Sequence, residues 1–186
     1  IPSKQYNCSH HRNTVIDDIL TNWDVLSVGE NKTRFHAILA TTSIQEAYEY
    51  FFAVEPYKTY KDYFNVYAVF GESEESGMGT VNTIREAKFG SQYSLDGISP
   101  DFATCYEYAQ KADNNLIPAQ TLVVLVENTT DYGGICYMWG DGTAIACCPK
   151  SRDAYPYDFR GIVQHEAGGH GFGKLADEYI YHNEFI

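Results

Sequence analysis

His165-Glu166-Ala167-Gly168-Gly169-His170, continued by Gly171-Phe172-Gly173-Lys174-Leu175-Ala176-Asp177-Glu178-Tyr179, is the stretch from which the reading of this chain grows. Two histidines bracket a glutamate, and an acidic group follows within ten residues. Neutral imidazoles bind transition metals, and an adjacent carboxylate can take a proton from metal-bound water, so the pattern points to zinc hydrolase chemistry. His165 and His170 are the candidate ligands, and Glu166 is the candidate general base. The usual form of this motif is H-E-x-x-H, with its histidines four apart on one helix face. Here they are five apart.

That extra residue sets a geometric demand. At about 100° per residue, four residues bring a side chain back to within about 40° of its starting direction, whereas five leave it about 140° away. Two ligands that far apart cannot share an ion on a regular α-helix. A wide turn closed by an i→i+5 hydrogen bond restores the alignment, and Gly168-Gly169 lies where glycine would ease it. The competing reading is that the glycine pair ends the helix and leaves His170 on the surface. A catalytic zinc keeps three protein ligands and one water. For the third ligand, Asp177, Glu178 and His182 all lie within reach of the motif.

The segment resembles the IgA-peptidase family of secreted bacterial zinc metallopeptidases. The likeness is carried by His165-Glu166, the glycine before His170, His170-x-x-Gly173 and Leu175-Ala176-Asp177-Glu178-Tyr179. It continues upstream, more loosely, in Tyr50-Phe51-Phe52, Glu55-Pro56-Tyr57, Phe64-Asn65-Val66-Tyr67, Ser73 to Gly77 and Tyr132-Gly133-Gly134. Together these cover most of residues 44–181. The chain carries one more glycine than the common H-E-x-G-H form.

The resemblance implies an α+β, three-layer, metzincin-like catalytic domain. Its expected parts are a twisted, mainly parallel sheet with an antiparallel hairpin edge, and an active-site helix bearing one catalytic zinc. It favours Asp177 as third ligand, since the glycine after the second histidine turns the chain back below the metal in such sequences. Tyr179 is then a candidate to hydrogen-bond the oxyanion, with a packed tyrosine as the plain alternative. The implied substrate is a protein or peptide, with immunoglobulin suggested by the family name. The implied location is secreted, periplasmic or bacterial cell surface. Residues 1–36 are expected to be an N-terminal segment ending a preceding region. Residues 37–186 are expected to be the catalytic domain, cut short on its C-terminal side.

Composition narrows the field. With 186 residues and 44% hydrophobic content, the chain can build one domain around a proper core. A net charge of −12 disfavours nucleic acid and anionic membranes as partners. No apolar run reaches the length of a membrane span. Neither a G-x-S-x-G elbow nor a phosphate-binding glycine loop is present. A protein- or glycan-binding module on an inactive peptidase fold, and a zinc hydrolase of a non-peptide amide, are the rival readings. Retention of Glu166 weighs against the first.

The remaining elements follow from periodicity and turn chemistry. Ser43 is expected to cap a helix from Ile44 to about Val54, and Phe64 to Phe70 reads as a buried strand. Ser99-Pro100-Asp101 opens a second helix, with proline at its first position. Thr121 to Val126 is a continuous apolar strand, expected at the centre of its sheet. Ile135–Trp139 and Thr143–Cys147 flank Gly140-Asp141-Gly142 as a hairpin, in a register that sets Cys136 opposite Cys147. A helix over 158–167 leads into His165.

Overall fold

The structure, a computed structural model, describes residues 42–75, 77–94, 97–130 and 133–177. The N-terminal segment, Glu178, Tyr179 and His182 lie outside the described residues. The first helix, α1, spans Thr42–Phe51. Ser43 therefore sits inside it rather than at its cap, and the helix ends five residues before Pro56. After a 3-10 turn at Lys61–Tyr63, a small sheet forms from β1 (Gly79–Thr80), β2 (Gln92–Ser94) and β3 (Gly97–Ser99). Helix α2 (Phe102–Ala112) follows. The main sheet comprises β4 (Leu122–Glu127), β5 (Ile135–Met138) and β6 (Ala144–Pro149). Helix α3 (Phe159–Ile162) then runs directly into a π-helix over Val163–Phe172.

The starts of α2 and α3 are side-chain capped. Asp101 accepts from the Thr104 amide at 3.1 Å, so the aspartate caps α2 and Pro100 stays outside it. Asp158 accepts from the Gly161 amide at 2.8 Å and opens the site helix in the same way.

The main sheet is ordered β4-β6-β5, with β4 parallel to β6 and β5 antiparallel to it. The hairpin edge is present, and both sheets are small and mixed rather than mainly parallel. All six residues of β6 are buried, and this strand, not β4, is central. The apolar run of β4 reflects cover on both of its faces. Leu122, Val124 and Val126 pack with α1 and the site helix, while Val123 and Leu125 pack toward α2 and β3. Helices thus lie on both faces of the sheet, which gives three layers.

Residues 64–70 form no strand. Their β-branched and aromatic content satisfied the strand pattern, but no neighbouring strand among the described residues pairs with them. Val66, Tyr67 and Phe70 are 51%, 42% and 52% exposed. Phe64 turns inward, onto Phe52 and Phe172.

The hairpin register differs by one residue from the expectation. Ile135 pairs with Cys147, and Cys136 with Ala146. One step of slip sends a strand residue to the opposite face. Cys136 accordingly packs with the site-helix core, and Cys147 with the α2 core. Cys105, Cys136, Cys147 and Cys148 are free thiols. No helix among the described residues is long and apolar enough to cross a membrane.

Candidate metal centre

The site is built on the π-helix, whose inward face is held by Val163 and Ala167 against Ala146 and Cys148 of β6. Its wide turns change which residues share a face. The Gly173 amide donates to the Gly168 carbonyl, five residues back, at 2.9 Å. The wide turns of Val163–Phe172 as a whole bring His165 and His170 together, with their Nε2 atoms 3.1 Å apart and their rings nearly perpendicular at 83°. The helix does not end at the glycine pair, and His170 is buried.

Beyond the helix the chain doubles back. Lys174 adopts a left-handed conformation, φ 54°, and its Nζ donates to the Gly142 carbonyl in the hairpin turn at 2.9 Å. A Cβ on Gly173 would lie 2.8 Å from the Gly169 carbonyl oxygen, so only glycine permits this close return. The turn delivers Asp177, whose Oδ1 lies 3.1 Å from His170 Nε2 and 3.2 Å from His165 Nε2.

These three atoms form a nearly equilateral triangle. Ligand atoms about 2.0–2.1 Å from a tetrahedral ion stand about 3.3 Å from one another, so the triangle has the spacing that a zinc ion would require. Two nitrogens and one carboxylate oxygen are also a donor set that zinc accepts. His170 Nδ1 lies 2.7 Å from the Leu175 carbonyl. A carbonyl can only accept, so the proton sits on Nδ1 and leaves the Nε2 lone pair facing the triangle.

Glu166 is 8% exposed. Burial pushes its carboxyl up to about 7; His170 opposes that rise and the Asp177 charge adds to it. Its carboxylate lies against Gly134, where an added Cβ would stand 3.0 Å from Glu166 Oε1 and 2.8 Å from Ile162 Cγ2. The glycine just before β5 therefore leaves the space that the glutamate occupies. Burial raises every described thiol, Cys136 to about 11 and Cys105 to about 12, which leaves no thiolate at neutral pH.

Sequence reasoning gathered His165, Glu166, His170 and Asp177, and the structure places His165, His170 and Asp177 around one point. It missed the Leu175 carbonyl, which only the path of the turn reveals, and Gly134. In the sequence Gly134 stands out only as part of Tyr132-Gly133-Gly134.

Two imidazoles and a carboxylate converge beside a buried glutamate, a group that could hold a metal ion. The model of the IgA peptidase M64 family matches residues 19–185, and the chain belongs to that family. Family membership makes it a peptidase, a hydrolase. A comparison with curated proteins returns no match.

Proposed function

We propose that this protein is a zinc-dependent endopeptidase in which His165, His170 and Asp177 hold the ion and Glu166 is the general base. The observation that carries this reading is the triangle of ligand atoms 3.1 to 3.2 Å apart, with the His170 tautomer set by Leu175. Zinc bound there would lower the pKa of its water to about 7 and polarise a substrate carbonyl. The chain's own residues supply the rest. Glu166, beside a ligand and screened from solvent, takes the proton from the attacking water on a carboxylate oxygen and passes it to the leaving amine. The Leu175 carbonyl holds the His170 imidazole, and packing on β6 holds the helix that carries both histidines, so ligand geometry need not be rebuilt in each turnover.

Membership in a peptidase family supports a protein or peptide substrate. The resemblance to secreted peptidases supports action outside the cell or at its surface, on extracellular proteins of which immunoglobulin is one to assay. Elemental analysis of the purified chain is expected to find close to one zinc per molecule and casein cleavage that a chelator abolishes. Full zinc content retained by a His165→Ala/His170→Ala variant, or cleavage indifferent to chelation, would refute the proposal.

A further inference from the structure

A π-helix is rare because a wide turn is less favourable than an α-turn, so an element outside it must hold the strained register. Tyr57, in the loop after α1, is separated from Gly168 by 111 positions, yet its hydroxyl donates to the Gly168 carbonyl at 2.6 Å. That same carbonyl accepts the i→i+5 bond from Gly173. Both of its lone pairs are therefore in use, one for the wide turn and one for the tyrosine. Gly168 lies between the two histidines, and the wide turn its carbonyl closes, from Gly168 to Gly173, is the last of the π-helix and carries His170.

The tyrosine is itself held rigid. Its ring packs on Phe51 at 4.5 Å and stands perpendicular to Phe172, the last residue of the π-helix, at 5.5 Å. Phe64 closes the cluster from a third side at 6.4 Å. A Cβ at position 168 would lie 3.1 Å from the Tyr57 ring, so the bare Cα lets the ring close on the helix.

We propose that Tyr57 is a positioning residue for the metal centre: its hydroxyl fixes the Gly168 carbonyl in the wide-turn register that lets His165 and His170 share one ion. It touches neither ion nor substrate and acts through the helix backbone. If the turn reverted to i→i+4 bonding, five residues of α-helix would again turn His170 about 140° away from His165. The inference rests on the zinc-site reading above.

The test is zinc affinity of the full chain, measured by competition with a chromogenic chelator, alongside thermal melting of the metal-free chain. Tyr57→Phe keeps the ring and removes only the hydroxyl; zinc Kd is expected to rise about three- to tenfold, the range for one lost hydrogen bond. Phe64→Leu removes packing from the same cluster without touching the hydroxyl. It is expected to lower the melting temperature more than Tyr57→Phe does, yet leave zinc Kd within about twofold of wild type. Wild-type zinc affinity in Tyr57→Phe overturns the inference and leaves the zinc site standing. Equal loss of affinity in Phe64→Leu overturns it too, since packing alone would then explain the effect. A wild-type chain that binds no zinc overturns both readings.

Discussion

Two glutamates in this protein share nearly the same burial and have different surroundings. Glu166 on the π-helix and Glu127 at the end of β4 are each 8% exposed, and burial raises both to about 7. Glu166 follows a candidate ligand, and the neighbouring His170 opposes its upward shift. Glu127 faces the other layer, toward Cys105 and Cys147, and only the Ser91 hydroxyl offsets its burial. A raised carboxyl by itself therefore does not mark a catalytic group. What separates the two is the convergence of His165, His170 and Asp177 beside one of them.

Substitution at each glutamate should pull the two roles apart. Glu166→Gln is expected to retain zinc while losing about 10²- to 10⁴-fold in casein turnover, because an amide cannot accept the water's proton. Undiminished turnover would place the base elsewhere and erase the distinction. Glu127→Gln should leave turnover intact and raise stability instead. The folded chain binds the Glu127 proton more tightly than the unfolded chain, so the contribution of this group to stability is fully present below pH 4.5 and is lost as pH rises through about 7. Relief of that penalty at pH 8 amounts to about 3 kcal/mol, readable by urea denaturation at pH 4 and pH 8. A Glu127→Gln curve that stays parallel to wild type at both pH values would contradict the burial argument.

Smaller changes sharpen the same contrast. Gly134→Ala crowds Glu166 but touches no ligand, so turnover should fall about tenfold, an overpacking cost of about 1–2 kcal/mol, at unchanged zinc content. Steady-state kinetics beside elemental analysis checks this, and unaltered kcat would show the carboxylate has room to spare. Least of all should follow from Gly169→Ala. Its added Cβ meets only the Gln164 carbonyl at 3.8 Å, so stability and zinc affinity should stay within about 1 kcal/mol of wild type. A large loss would mean that the second glycine, rather than Gly168, governs the wide turn.

The site was more legible in the sequence than the sheet around it. A five-residue histidine spacing admits few backbones that serve one ion, and the expected wide turn is present as a π-helix. The second helix and the hairpin were also readable, because apolar spacing and the Gly140-Asp141-Gly142 turn are local signals. Non-local features were not. Phe64 to Phe70 has strand composition, yet pairing depends on neighbours that composition does not name. The hairpin register depended on where within the turn the pairing closes, a shift of one residue that moved Cys136 and Cys147 to opposite faces. The hydrogen bond from Tyr57 to Gly168 joins segments more than a hundred residues apart, and periodicity carries no trace of it.

The convergence of His165, His170 and Asp177 through a π-helix is the claim on which the rest depends, and anomalous diffraction at the zinc edge tests it most directly. Crystals of the zinc-loaded chain should give one strong peak about 2.0–2.1 Å from His165 Nε2, His170 Nε2 and Asp177 Oδ1, with i→i+5 bonding retained through Gly168. A peak bound elsewhere, or one held by both histidines on an unbroken α-helix, would contradict the account.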